Sequence, residues 1–193
     1  ARKIYHDFWG KGETSTDMPR DNFILAYYQK IKDGSVIVGR WIRLIYDKQD
    51  GFNKKLFTFD QQKANAAIEW IEKHCFHTEG PLAPNPLKLE VWQKAMLSAI
   101  FGIVDESGGR QFREVLLVVA RKNGKSIIAS GIGNYIFRVD GGYGAKVFCC
   151  APKLEQARLC YEGIYQTIRK EPMMERLTKR RRTDLYIESN NSS

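Results

Sequence analysis

The chain has 193 residues, of which 43% are apolar and 12% aromatic, a composition that is typical of a folded domain and excludes a disordered chain. No apolar run reaches the ~18–20 residues that cross a bilayer, and the first residues, ARKIYHDFWGKG, carry no apolar leader, so we expect neither a membrane span nor a secretory signal. The formal net charge of +9 favours a polyanionic partner, with nucleic acid first, although many basic proteins bind none.

The N-terminal part of the sequence predicts helices. Residues 1–20 have no sustained period and are expected to form an irregular arm. Residues 22–32 carry apolar side chains at helical spacing, and Asp33-Gly34 ends that helix. A second helix is expected after Ser35, which can cap it, and one side of this helix should be buried. That side carries Val38, Ile42, Ile45 and Trp41.

A third helix is predicted over residues 61–77, with Asp60 as its N-cap. The segment GPLAPNP at residues 80–86 follows, and its prolines mark a boundary. We therefore expect a helical N-terminal region at residues 1–80 and a second domain at residues 87–193. The buried stripe of the third helix consists of Ala64, Ala67, Ile68, Ile71 and Cys75.

The second domain alternates helices and strands. Helices are predicted over residues 90–101, 126–137 and 154–170, and strands over residues 112–119 and 145–150. This order implies a parallel sheet with right-handed crossovers. Both strands are continuous apolar runs, which is typical of strands that are covered on both faces.

An elbow joins the first strand to its helix in the segment LLVVARKNGKSIIAS at residues 116–130. A helix that begins directly after a strand offers free amide groups and the positive end of its dipole to an anion. Gly124 lets the backbone approach phosphates closely, Lys125 can reach the β and γ phosphates, and Ser126 can ligate Mg²⁺. The elbow therefore predicts a phosphate-binding loop.

Arg121, Lys122 and Asn123 are assigned to the same ATP site. The guanidinium of Arg121 could stabilise charge on a γ-phosphate, so Arg121 joins Lys125 as a candidate catalytic residue. Val119 stands where the usual G-x-x-x-x-G-K-[ST] pattern has its first glycine, and a basic turn without a ligand is the alternative. The predicted fold class is α/β: an incomplete P-loop NTPase-type parallel sheet with flanking helices, preceded by a helical N-terminal region.

Three segments, in this order, resemble the ATPase domain of the large terminase subunit of tailed bacteriophages, the motors that pump DNA into preformed capsids. They are EVWQKAMLSAIFG, ARKNGKS and VFCCAPKLEQAR. The resemblance implies that Gln93 reads the adenine edge and that ATP and Mg²⁺ are bound. It also implies double-stranded DNA, the portal, the small terminase subunit and sister motor subunits as partners, no membrane association, and the host cytoplasm as the location.

The family's Walker B, an apolar run that ends in Asp-Glu, is expected well after the third of these segments. The last candidate within the 193 residues is Asp184–Glu188, which we interpret as an ordinary strand. The metal-dependent nuclease domain of the family is likewise not expected here. We therefore expect the chain to bind nucleotide but to hydrolyse it poorly.

Two other classes of function stay open. The chain could be a non-enzymatic basic module that binds nucleic acid or a partner protein and in which Gly-Lys-Ser is incidental. It could also be a fragment of a helicase-like translocase. The cluster Lys179–Arg182 could follow a DNA backbone or form a solvated face, and the two interpretations are equally open.

The four cysteines are predicted to be small buried thiols in a reducing compartment. Cys149 and Cys150 are adjacent, so their side chains point to opposite faces of a strand, and this favours a role in the core over a redox pair.

Overall fold

The computed structural model describes residues 22–48, 56–78, 80–142, 145–181 and 186–189. The irregular arm that is predicted for residues 1–20 lies outside this part of the chain. Two compact units are formed, the first from residues 1–69 and 89–115 and the second from residues 70–88 and 116–193. Each unit is described by itself below.

The first unit is helical, with one short antiparallel strand pair. Its first helix begins after Asn22, whose side-chain oxygen accepts a hydrogen bond of 3.1 Å from the amide of Leu25. Asp60 caps the third helix in the same way, through a bond of 3.0 Å from the amide of Lys63. Both starts confirm the sequence prediction. The elements are α1 (Phe23–Lys32), α2 (Arg40–Lys48), β1 (Thr58–Phe59), α3 (Gln61–His74), α4 (Val91–Gly102) and β2 (Ile103–Val104).

The core of the first unit lies where α1 packs against α4. Ile24 and Ile103 are buried at its centre and are surrounded by aromatic and aliphatic side chains. Gly102 allows α4 to approach β1 and α3 closely, since a Cβ at this position would lie 2.8 Å from both Ala64 and the Phe59 ring. The surrounding side chains are Leu25, Tyr46, Phe57, Phe59, Ala99 and Phe112.

Helix α2 differs from its prediction. It begins at Arg40, several residues after Ser35, and the side expected to be buried faces solvent. Trp41 is 75% exposed, and Ile42 and Ile45 are also exposed. The helical period predicts which apolar residues share one side of a helix, but that side is buried only if another element packs against it. Among the described residues of the first unit, no element covers this side of α2.

The second unit contains the end of α3 and the remaining helices. Strands β3 (Thr178–Arg181) and β4 (Tyr186–Ser189) form an antiparallel hairpin in which Lys179 lies opposite Glu188, so Glu188 lies in a strand, as predicted. Helix α6 has the predicted bounds. The elements are α5 (Lys125–Tyr135), a π-helical turn (Ile136–Asp140), α6 (Leu154–Lys170), α7 (Pro172–Arg176), β3 (Thr178–Arg181) and β4 (Tyr186–Ser189).

Helices α5 and α6 pack against each other. Ser130 of α5 lies beside Cys160 of α6, with 3.1 Å between the Ser130 hydroxyl and the Cys160 carbonyl oxygen. Farther along both helices, a Cβ at Gly133 would lie 3.0 Å from Ile164. Ser130 and Gly133 are three residues apart in α5, so this side of the helix faces α6.

The predicted parallel sheet is not formed within the described residues. Segments 112–120 and 145–150 carry no strand pairing, and the strands of the described residues form two separate antiparallel pairs. The prediction that both faces of these segments are covered is wrong, because Leu116, Val118 and Phe148 are 91%, 82% and 81% exposed. A continuous apolar run shows that a segment can be buried on both faces, whereas pairing and burial depend on neighbours elsewhere in the chain.

Candidate functional site

The elbow at residues 119–126 is a tight loop that leads directly into α5. Gly124 is the N-cap of this helix and has a left-handed conformation with φ of 73°. Lys122 also has a positive φ, of 66°. The amide of Ile128 donates a hydrogen bond of 2.9 Å to the carbonyl of Gly124 in the first turn of α5. The amides before Ile128 have no carbonyl within the helix to pair with, because a helix leaves its first amides unsatisfied.

Lys125 folds back across this loop. Its ammonium nitrogen Nζ donates hydrogen bonds to the carbonyl oxygens of Val119 at 2.9 Å and Ala120 at 2.8 Å. The side chain is half-buried. The loop therefore curves around a positive charge, next to the positive end of the α5 dipole.

The other predicted loop residues lie in the same turn and at the start of α5. The side-chain amide of Asn123 donates to the carbonyl oxygens of Ala120 and Arg121 at 3.3 and 3.2 Å, and these bonds brace the turn. Arg121, Asn123 and Ser126 are exposed, as is Lys122. Six of the predicted site residues, from Arg121 to Ser126, are thus brought together at one helix start.

Gln93 lies in the first unit, near the start of α4, and the loop lies in the second. Its side-chain oxygen accepts a hydrogen bond of 2.8 Å from the amide of Glu90, and the Glu90 carboxylate accepts one from the backbone amide of Gln93. This reciprocal pair is a capping box, so Gln93 has a structural role that the sequence prediction missed. The spacing Glu90-x-x-Gln93 could have indicated it, although glutamate is an unusual N-cap.

Sequence reasoning also passed over an apolar run that ends in Asp-Glu upstream of the loop. It is β2, followed by Asp105 and Glu106. One Asp105 carboxylate oxygen accepts hydrogen bonds from the amides of Ser107 and Gly109 at 2.9 and 2.8 Å. The Ser107 hydroxyl and these amides hold the pKa of Asp105 below its usual value. The carboxylate therefore organises a turn in the first unit.

The π-helical turn after α5 ties this helix to the C-terminal hairpin. Arg138 donates to the carbonyl oxygen of Met174 at 2.8 Å and also hydrogen-bonds the hydroxyl of Thr178. Burial lowers the pKa of Arg138. The described residues contain no group of three or more His, Cys, Asp or Glu side chains placed to hold a metal ion. No helix in this part of the chain has the length and apolarity to cross a membrane.

Comparison with known proteins shows the family to which the chain belongs. The family model described as "Terminase large subunit, ATPase domain" matches residues 91–192, and the chain therefore belongs to the family of terminase large subunit ATPase domains. No curated protein sequence matches the chain significantly.

Among solved structures, the large terminase of bacteriophage HK97 has the same fold over 67% of this chain, with a TM-score of 0.51 and 20% sequence identity. The matched part is 25% of the length of that terminase. The family assignment confirms the resemblance that the three sequence segments predicted.

Proposed function

We propose that this chain is the nucleotide-binding part of a viral DNA-packaging motor and that the loop at residues 119–126 binds the phosphates of ATP. The observation that carries the proposal is the Lys125 ammonium, held on the carbonyls of Val119 and Ala120 at 2.9 and 2.8 Å beside the start of α5. A phosphate oxygen that carries charge is a stronger acceptor for an ammonium group than a neutral carbonyl. Lys125 would therefore exchange these carbonyls for the β and γ phosphates.

The remaining loop residues have complementary roles. Gly124 lacks a side chain that would stand between the phosphates and the first amides of α5. The exposed Ser126 hydroxyl at the first turn is a hard oxygen ligand that suits Mg²⁺, and the ion would neutralise phosphate charge. Arg121 is exposed and would stabilise charge on the γ-phosphate, while Lys122 and Asn123 complete the site. The adenine role of Gln93 stays a prediction.

The predicted parallel sheet is part of this proposal, because α5 and α6 each follow an apolar segment closely and pack against each other. Segments 112–119 and 145–150 would be the first two strands of that sheet. The proposed domains are a helical region at residues 1–80 and an ATPase core at residues 87–193. The proposed partners are double-stranded DNA, the portal, the small terminase subunit and sister motor subunits, in the cytoplasm of the host.

Binding of a fluorescent ATP analogue with Mg²⁺ tests the proposal. Loss of the Lys125 ammonium in Lys125→Ala should weaken binding roughly ten- to a hundredfold, which corresponds to about 1.5–3 kcal/mol. Lys146→Ala is the matched control, because it removes the same charge from an exposed position of the second unit. Its affinity should equal that of the unaltered chain.

Two outcomes would count against this function, and a third would count only against the expectation of poor turnover. If no analogue binds while DNA does, the chain is better described as a basic binding module. If Lys125→Ala and Lys146→Ala weaken binding equally, the binding of the analogue is explained by general attraction between its phosphates and the basic chain. Phosphate release should stay near the background of Lys125→Ala, and fast hydrolysis by the unaltered chain would overturn the expectation of poor turnover.

A further inference from the structure

The helix that begins at the proposed phosphate loop is joined at its other end to the C-terminal hairpin. Helix α5 begins at Lys125 and continues directly into the π-helical turn Ile136–Asp140, which contains Arg138. The Arg138 guanidinium donates to the carbonyl oxygen of Met174 in α7 at 2.8 Å and hydrogen-bonds the hydroxyl of Thr178, the first residue of β3. All of these residues belong to the second unit.

Three hydrogen bonds form a closed set at this junction. The Thr178 hydroxyl accepts a bond from Arg138 and donates its own hydrogen to the Met174 carbonyl oxygen at 2.6 Å. The guanidinium is half-buried, and a charged group that has lost part of its water must keep its hydrogen bonds. The end of α5, helix α7 and strand β3 are therefore held together through one side chain.

The hairpin that Arg138 contacts begins with the basic cluster. Lys179 follows Thr178 directly, is exposed, and is the first residue of the cluster Lys179–Arg182. Neighbouring side chains of a strand point to opposite faces, so Thr178 can face Arg138 while Lys179 faces solvent. Helix α5 and its π-helical turn thus connect the phosphate loop to a candidate surface for DNA.

We propose that Arg138 is a positioning residue that couples nucleotide binding at the loop to DNA binding at the basic cluster. This inference rests on the proposed function and adds a physical connection between its two ligands. A nucleotide that orders the loop also orders α5 and, through Arg138, the hairpin. DNA then binds to a hairpin that is already ordered, so the two ligands should bind with positive cooperativity.

Titration of the full chain with short duplex DNA, with and without a saturating ATP analogue and Mg²⁺, measures this coupling. In the unaltered chain, the analogue should tighten DNA binding by about fivefold or more. Arg138→Met and Thr178→Val should each remove this gain, because each breaks the junction. Thr178→Ser keeps the hydroxyl and should retain the gain.

Two further measurements separate positioning from simple charge. Arg169→Met removes the same charge from an exposed position of α6, and it should leave the coupling unchanged. Amide hydrogen exchange of β3 and β4 without any ligand should be faster in Thr178→Val than in Thr178→Ser, because only the serine variant keeps the bond to Arg138. The two Thr178 variants carry the test if Arg138→Met fails to fold.

Independent binding of the two ligands to the unaltered chain would overturn the coupling and leave the proposed ATP site intact. If the analogue displaces DNA, the two anions compete, and the coupling is likewise refuted. Equal coupling in Thr178→Val and Thr178→Ser would show that the junction does not transmit it. A complete lack of analogue binding would instead refute the proposed function, and the coupling with it.

Discussion

Gly124 and Lys122 both hold left-handed backbone conformations, and they do so within one turn of the loop. A residue with a Cβ is strained in this region, whereas glycine is not. Lys122 is thus held in a conformation that lysine rarely adopts, and the surrounding hydrogen bonds of Asn123 help to hold the turn in this shape. The sequence predicted that Gly124 lets the backbone approach phosphates closely, and its left-handed conformation is a further reason for glycine at this position.

Gly124→Ala should lower the free energy of unfolding by about 1–2 kcal/mol, because alanine is strained at a φ of 73°. Urea unfolding measures this change. Gly39→Ala is the matched control, since Gly39 has no positive φ and a Cβ there would meet no atom within 4 Å. The control should be unchanged or slightly more stable. Equal effects in the two variants would contradict the conformational argument.

At the scale of elements, α5 and α6 come close because small residues line their contact. A Cβ at Gly163 would collide with the Ser130 hydroxyl and would lie 3.0 Å from its Cβ. The same hydroxyl donates to the carbonyl of Ser126 at 2.9 Å, so it cannot turn away without losing a bond. The position of the loop helix therefore depends on the absence of a side chain in α6.

Gly163→Ala should accordingly lower the free energy of unfolding by about 1–3 kcal/mol, through overpacking against Ser130. In the double variant Gly163→Ala/Ser130→Gly the collision is relieved. The double-mutant cycle of these variants should give a coupling free energy of ~1 kcal/mol, with the double variant more stable than the sum of the two single effects. Thermal or urea unfolding of the four proteins gives this value. Gly39→Ala combined with Ser130→Gly should be additive, and additivity in the Gly163 cycle as well would refute direct contact.

For the whole molecule, the net charge of +9 is the property that bears on DNA binding. If the proposed function is right, duplex DNA should bind with an affinity that falls steeply with salt. Each neutralised phosphate contributes about −0.9 to the slope of log K against log salt concentration. A titration at several salt concentrations gives that slope.

Two charge-reversal variants distinguish a defined DNA-binding surface from general electrostatic attraction between the basic chain and DNA. Lys179→Glu and Lys30→Glu alter the net charge equally, and both lysines are exposed, Lys179 in the hairpin strand β3 and Lys30 in helix α1 of the first unit. If the basic cluster around Lys179 follows the DNA backbone, Lys179→Glu should reduce the slope by about 1 or more, and Lys30→Glu should change it less. Equal changes would mean that the cluster is a solvated face.

By itself, the sequence determined the local features of this protein. The N-caps Asn22 and Asp60, the bounds of α6 and the position of the loop at the start of α5 all follow from residues within a few positions of one another. Capping, helical period and glycine conformation are short-range effects, so they can be inferred without knowing what lies across the fold. The loop and its lysine belong to this group.

Only the tertiary structure decided which apolar faces are covered and which distant side chains meet. It left Trp41, Phe148 and Cys150 exposed, although the sequence predicted them to be buried, and it brought the Ser130 hydroxyl to the carbonyl oxygen of Cys160. It also placed the Lys125 ammonium on two carbonyls of its own loop. Burial and contact require a partner surface, and the position of that surface depends on the packing of the whole unit and not on the residues beside it in sequence.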